Sequence, residues 1–272
     1  MTTRPQRIVL GLALGAVAFL AVAPLLWMLS LSLMPGGEAN RYPPRLLPSQ
    51  LTVEHYRTLF SRLDMARYVL NSAFLATTVT LISVLINGAA GYAFAKFRFR
   101  GRDSLYRLLV GALVIPGQVT MLPLFLMMKE MGLVNTYVGA MIPWLASIFG
   151  IFLVRQYALS IPDDLLDAAR IDGASEWQIF RRVVIPVIRP ILLTLAVFTF
   201  MGAWNDFLWP LIVLSNDARY TLPVALANLS LEHVQDTELM MAGAVLTILP
   251  VLIVFVSMQR YYINGITAGS VK

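Results

Sequence analysis

The sequence from Ile8 to Leu33 reads IVLGLALGAVAFLAVAPLLWMLSLSL and contains no charged side chain. At about 1.5 Å of rise per residue, a helix of this length crosses a hydrocarbon core of about 30 Å. In lipid the backbone N–H and C=O groups must find partners within the chain, and a helix provides them inside one segment. The stretch therefore predicts a transmembrane helix.

The same stretch also has features of a secretory signal peptide. Ala21-Val22-Ala23 resembles a cleavage site, with Arg4 and Arg7 ahead of the apolar run. However, Pro24 follows directly and the apolar run continues beyond it, whereas the h-region of a signal peptide is short and ends at the cleavage site. The pattern favours a retained helix over a cleaved leader.

The composition agrees with a membrane protein. The 272 residues are 58% hydrophobic and 13% charged, and the mean hydropathy is +0.72, whereas soluble domains have about 45–50% apolar and about 25% charged residues. The net charge of +6 comes from basic residues at the ends of apolar runs, which indicates membrane topology rather than nucleic-acid binding. The absence of cysteine excludes disulfides, cysteine-ligated metals and thiol catalysis.

Five further apolar intervals follow the first. We predict an all-α integral membrane fold, a single transmembrane domain over residues 1–272, with spans at 8–33, 69–95, 108–128, 133–154, 190–214 and 239–259. Pro116, Gly117, Gln118 and Pro123 are expected to bend or unwind the third span.

The positive charges predict the orientation. With both termini in the cytoplasm, 14 of the 21 Lys and Arg residues fall in cytoplasmic segments, as the positive-inside rule requires. The outer loop at 35–66 is the exception, because it is rich in arginine. The last outer loop, about 215–238, is acidic, and it is either a solvated loop or a docking surface.

The most informative segment lies between the fourth and fifth spans, in a loop at 158–188. Residues 162–186 read PDDLLDAARIDGASEWQIFRRVVIP. Pro162 and the acidic residues behind it suit a helix start, and Gly173 suits a left-handed helix end. Ser175 and Gln178 have capping-box spacing for a second helix, and Pro186 is expected to interrupt the backbone before the next span. The pattern predicts a cytoplasmic helix-turn-helix hairpin.

The first helix of this hairpin carries a small apolar surface. Leu165, Leu166, Ala168 and Ala169 are expected to share one face. Such a face suits close approach of another protein, and the alternative is a helix lying on the lipid headgroups.

The hairpin resembles the signature loop of bacterial ABC-importer permeases, which reads Glu-Ala-Ala, three residues, Gly, nine residues, Ile-x-Leu-Pro. This chain has Asp167-Ala168-Ala169, Gly173 and Val183-Val184-Ile185-Pro186 at the same spacing. Trp204-Asn205-Asp206-Phe207 and the C-terminal run from Gly265 to Lys272 are similar to the maltose-type (MalG-like) carbohydrate permeases.

The resemblance implies a permease subunit of a binding-protein-dependent importer that moves a sugar or oligosaccharide across the bacterial cytoplasmic membrane by alternating access. Its partners would be a second permease subunit, giving a heterodimer or a homodimer, a cytoplasmic ATPase dimer, an extracytoplasmic binding protein and membrane lipid. The resemblance also implies that the residues that couple the chain to the ATPase are Asp167, Ala168, Ala169, Arg170, Asp172, Gly173 and Ala174. It also places the tail residues Thr267, Ala268, Gly269 and Ser270 against the ATPase.

The chain has no phosphate-binding loop of its own. A Walker A motif needs glycine before its lysine, and none of Lys96, Lys129 and Lys272 follows a glycine. We therefore expect no enzyme activity and no cofactor in this chain, with ATP and Mg²⁺ bound by the separate ATPase.

Polar residues inside the spans are the candidates for the substrate pathway. Asp206 is costly in lipid and should face protein or water. Trp204, Asn205 and Asp206 either line the pathway or its gate, or join neighbouring helices. Asn71 and Asn87 in the second span are candidates of the same kind.

Two other functions have less support in the sequence. An ion-coupled secondary transporter needs intramembrane titratable relays, and Asp206 is the only charge within the spans. A membrane enzyme is disfavoured because His55 and His233, the only histidines, fall in predicted outer loops without a metal-ligand cluster.

Overall fold

The computed structural model describes residues 4–232 and 236–267, and within these ranges the chain forms helices and connecting turns without a β-strand. The α-helices are α1 Arg4–Ser32, α2 Glu54–Arg62, α3 Met65–Lys96, α4 Arg102–Gly111, α5 Gly117–Glu130, α6 Tyr137–Leu145, α7 Ile148–Ala158, α8 Asp163–Ile171, α9 Glu176–Ile179, α10 Ile185–Trp204, α11 Leu208–Val213, α12 Leu222–Glu232 and α13 Thr237–Thr267. Short 3₁₀ turns cover Ala112–Val114 and Asp217–Arg219, and a π-helical turn covers Phe180–Val184.

Five helical stretches among the described residues are long and apolar enough to cross a membrane. They are Val9–Ser32, Met65–Lys96, Tyr137–Ala158, Glu176–Trp204 and Thr237–Met258. A sixth is obtained if Arg102–Val114 and Gly117–Glu130 count as one span, although they are bent by 108°. An all-helical fold with five or six apolar spans is thus confirmed.

The third predicted span, 108–128, is broken in the middle. Ile115 and Pro116 are extended, with ψ angles of 117° and 132°. The residue before a proline avoids the helical region, and proline has no N–H to continue a helix. The expected bend is confirmed at Pro116, whereas Pro123 stays inside α5.

The helices around the fifth predicted span, 190–214, have different bounds from the span. The helical stretch runs from Glu176 to Trp204, and α11 begins only after a break at 205–207. Pro186 does not interrupt the backbone, because the wider π-helical turn Phe180–Val184 leads directly into α10. A wide turn accommodates a residue that lacks the N–H and carries a bulky ring. The second arm of the hairpin is therefore continuous with the next span.

The segment at 215–238 is not one open loop. It contains α12, in which Leu222, Val224 and Leu229 are buried. Apolar residues recur at helical spacing along α12, which favours a packed helix over a solvated connection. His233 lies outside the described residues.

The described chain forms two compact units, one of residues 4–67 and 225–250, the other of residues 68–224 and 251–267. In the first unit, the Glu38 carboxylate is only 2% exposed. It accepts hydrogen bonds from the backbone and side chain of Ser49 and from Arg45. Burial alone would raise the pKa of Glu38, but the Ser49 hydrogen bonds and the Arg45 charge outweigh it and hold the pKa below its usual value.

The second unit holds the hairpin against an apolar core. The core includes Tyr92, Val154, Leu166, Ile188 and Leu195, which come from α3, α7, α8 and α10. Burial of these side chains from four helices gives the hairpin a fixed position within this unit.

Candidate functional site

The hairpin consists of α8, a tight turn and α9. Gly173 has a φ of +82°, a left-handed conformation that glycine adopts without steric cost, and its surroundings are open. Gly173 N donates to Arg170 O and Ala174 N donates to Ala169 O, both at 3.0 Å. The predicted glycine-ended helix is confirmed.

The second helix of the hairpin has the predicted capping box. Ser175 N donates to Gln178 Oε1 at 2.8 Å, and Gln178 N donates to Ser175 Oγ at 3.4 Å. These reciprocal bonds satisfy two N–H groups that a helix start leaves free.

Arg170 ties the two arms of the hairpin together. Its guanidinium donates to Asp167 Oδ1 at 2.7 Å and to Glu176 Oε1 at 2.8 Å. The hydrogen bonds that Arg170 donates to Glu176 and Asp167 raise the pKa of Arg170. Arg170 thus fixes the turn from within the hairpin.

The predicted common face of α8 is divided between two sides. Leu166 is buried at 1% exposure, and Ala169 packs on the same core. Leu165, Ala168 and Ile171 point outward, and Ile171 is 86% exposed. The expectation of one apolar face is wrong, because residues one position apart on a helix lie about 100° apart. Leu165, Ala168 and Ile171 form what we call the outer face of the hairpin.

Lys96, the last residue of α3, contacts the start of α8. Its Nζ donates to Ile161 O at 2.5 Å and to Asp163 Oδ1 at 2.7 Å. The hydrogen bond and charge of Lys96 lower the pKa of Asp163. In the sequence, Lys96 contributes only to the charge bias that predicts the topology. The features that indicate its pairing are a lysine at the end of a span and an acidic helix start in a loop that is predicted on the same side of the membrane.

The residues proposed for the pathway have different environments. Trp204 is buried and its ring stacks on Phe200. Asn205 is exposed and donates to Met201 O at 2.8 Å. Asp206 lies in the break after α10, where Trp144 Nε1 donates to its Oδ2 at 3.0 Å and Trp209 N to its Oδ1 at 3.4 Å. The structure thus places Asp206 as a junction between helices, and leaves Asn205 facing outward.

Asn71 and Asn87 are also bonded within the protein. Asn71 donates to Ala218 O and Tyr220 O at 3.0 and 2.9 Å. Asn87 is fully buried and accepts from Ser147 N at 3.0 Å, at the break between α6 and α7. In this conformation both asparagines satisfy backbone groups at helix breaks and loops.

The remaining candidate residues lie at the C-terminus. Thr267 ends α13, and Ala268, Gly269 and Ser270 lie outside the described residues. Within 4–232 and 236–267, no three His, Asp or Glu side chains come together as a metal site.

The long apolar helices are those of a multi-pass membrane protein, and the hairpin packs on the core of one of its units. The family described as the binding-protein-dependent transport system inner membrane component matches residues 87–267. The match covers the hairpin and the spans on either side of it.

Curated proteins of known function are similar over the whole chain. The arabinooligosaccharides transport system permease protein AraQ of Halalkalibacterium halodurans is 37% identical over 97% of this chain and 95% of its own length. The lactose transport system permease protein LacG of Rhizobium radiobacter is 34% identical over the full length of both. The crystal structure of a bacterial ABC transporter involved in the import of the acidic polysaccharide alginate contains a chain with a TM-score of 0.84 and 28% identity, covering 96% of this chain and 99% of that one.

The chain belongs to the family of binding-protein-dependent transport system inner membrane components. It is a permease subunit of an ABC importer, and the resemblance inferred from the hairpin motif is confirmed.

Proposed function

We propose that this permease moves a sugar or oligosaccharide into the cytoplasm by alternating access, driven by a separate ATPase dimer docked on the hairpin. The observation that carries the substrate class is the full-length similarity to permeases named for arabinooligosaccharides and lactose. This similarity favours the ATP-driven importer over the ion-coupled alternative.

The outer face of the hairpin supports its role as the ATPase contact. Leu165 and Ile171 are 44% and 86% exposed, although both are large apolar side chains. Ala168 lies between them and leaves room for close approach. Exposed apolar residues on a rigid, polar-rimmed element are typical of a protein interface.

The rigidity of the hairpin supports transmission of force. The Arg170 ion pairs and the capping box fix its geometry, and Leu166 buries it in the core of its unit. The second arm continues without a break into α10. A push on the hairpin therefore acts directly on a membrane-spanning helix.

The remaining parts of the proposal concern partners and topology. A second permease subunit completes the pathway as a heterodimer, an extracytoplasmic binding protein delivers the sugar, and ATP with Mg²⁺ binds to the ATPase. Both termini lie in the cytoplasm of a bacterial cell. Asp167, Ala168, Ala169, Arg170, Asp172, Gly173 and Ala174 couple this chain to the ATPase.

A pull-down from native membranes tests the assembly. The tagged chain, solubilised in detergent, is expected to bring down an ATPase with a Walker A motif, a second permease and a sugar-binding protein, identified by mass spectrometry. An Ile171→Glu variant is expected to lose the ATPase, whereas Leu47→Glu, a 75% exposed residue in the α1–α2 loop, is expected to keep it. A wild-type chain that purifies alone would contradict the proposal.

The topology is testable because the chain contains no cysteine. A membrane-impermeant maleimide should label Ile171→Cys in inside-out vesicles from cells that lack the ATPase, and Leu47→Cys in right-side-out vesicles. Labelling of both positions from the same side would overturn the proposed arrangement.

A further inference from the structure

From the contacts of Lys96, we infer that it is a positioning residue that couples movement of the hairpin to α3. This inference rests on the proposed function, because it assigns the route by which the hairpin acts on a second span. Lys96 ends α3, and its side chain is 8% exposed.

The Lys96 ammonium binds the hairpin at the start of α8. It reaches the Ile161 carbonyl before the helix and the Asp163 carboxylate in the first turn. Charge-assisted hydrogen bonds are short, directional and stronger than neutral ones. They add two directional contacts between α3 and the start of α8 to the apolar packing that holds the hairpin in place.

The second arm of the hairpin also contacts α3. The Tyr92 ring stacks on Phe180, with centroids 5.5 Å apart. Tyr92 and Lys96 lie one helical turn apart on α3 and so face the same side of it. Both arms of the hairpin are thus attached to one end of α3.

The other polar contacts of α3 identify the parts of the chain that a displacement of α3 would move. Asn87 holds Ser147 N at the break between α6 and α7. Asn71 holds the Ala218 and Tyr220 carbonyls after α11. A shift of α3 therefore reaches the α6–α7 break and the loop after α11, both within the same compact unit.

The test uses the complete complex, reconstituted in proteoliposomes with its ATPase and binding protein, and measures uptake together with ATP hydrolysis. Lys96→Met is expected to lower the sugar imported per ATP hydrolysed by about five- to tenfold, the low end of typical coupling between sites. The ATPase should still co-purify, because the outer face of the hairpin is unchanged.

Three further variants complete the test. Asp163→Asn removes the ion pair but keeps the hydrogen bond from Lys96 to the Ile161 carbonyl, so it should lower the ratio of sugar imported to ATP hydrolysed by less. If Lys96→Met does not assemble, the ratio of Asp163→Asn tests the role of Lys96. Lys96→Arg should restore part of the ratio. Arg100→Met, which removes an exposed positive charge of the neighbouring loop, should leave the ratio unchanged.

The outcomes separate this inference from the proposed function. An unchanged ratio in Lys96→Met and Asp163→Asn, with active wild type, overturns the role of Lys96 and leaves the importer intact. A wild-type complex without ATP-driven uptake overturns both.

Discussion

Trp144 Nε1 donates a hydrogen bond of 3.0 Å to Asp206 Oδ2, which joins α6 to the break between α10 and α11. Gly202 makes this contact sterically feasible, because a Cβ atom there would lie 2.8 Å from the Trp144 ring. The conspicuous acidic residue of the fifth predicted span thus has partners within the protein.

The hydrogen bond from Trp144 distinguishes Asp206 from its polar neighbour Asn205. Asp206→Ala is expected to lower the thermal stability of the detergent-purified chain, because an unpaired Trp144 N–H costs about 1–3 kcal/mol when buried. Asn205→Ala should leave the melting temperature unchanged, since Asn205 is exposed and bonds only to its own helix end. A loss of uptake in Asn205→Ala without loss of stability would assign it to the pathway. Equal melting temperatures for wild type and Asp206→Ala would contradict the junction role.

Close packing of α3 on α7 gives a second prediction. A Cβ at Gly91 would lie 2.6 Å from Val154 Cβ and 3.0 Å from Arg155 N. Gly91→Ala is therefore expected to push the helices apart, at about 1–3 kcal/mol of overpacking, and to lower both yield and melting temperature. Gly111→Ala is the matched control, because no atom lies within 4 Å of a Cβ there. Identical behaviour of the two variants would argue against the close approach.

The hairpin turn gives a third prediction. Gly173→Asp should insert in the membrane at normal levels but uncouple transport, because the new carboxylate lies beside Asp172 at the proposed ATPase contact. Aspartate tolerates the left-handed conformation better than most residues, so the fold is retained. Gly101→Asp is the control, since Gly101 has a similar φ of +85° and open surroundings. Normal uptake by Gly173→Asp would remove the turn from the coupling role.

The buried carboxylate of Glu38 gives a prediction of pH dependence. Its pKa in the folded chain lies below 4.5, its ordinary value. Ionised Glu38 therefore stabilises the fold fully above about pH 4.5, and this contribution is lost as the pH falls through the lower folded pKa. Glu38→Gln should melt below wild type at pH 7, and the difference should shrink in acid. A difference that is constant between pH 7 and pH 3 would contradict this assignment.

Much of the fold could be predicted from features that act over a few residues. The absence of charge from Ile8 to Leu33 predicts a span because lipid excludes charge. Gly173 and the Ser175–Gln178 pair predict the hairpin turn because each makes bonds within three or four residues of itself. The spacing of Asp167-Ala168-Ala169, Gly173 and Pro186 was sufficient for the family.

Contacts between distant residues could not be predicted in this way. Helix geometry places Leu165 and Leu166 about 100° apart, and only packing against α3, α7 and α10 shows that Leu166 is the buried one. The helix through Pro186 depends on the preceding π-helical turn, in which Phe180 and Val184 are buried. From the sequence, Pro186 predicts a break in the helix, because the π-helical turn before it has no local sequence pattern.

The sequence by itself therefore determined the membrane-spanning character, the hairpin turn and the family, because these depend on local backbone chemistry and on the exclusion of charge from lipid. The tertiary structure decided the bounds of the helices around the fifth predicted span, the outer face of the hairpin and the partners of Asp206. It also brought Lys96 to Asp163 across 67 positions of sequence. Such contacts depend on how helices pack, and packing is set by the shapes of many side chains together.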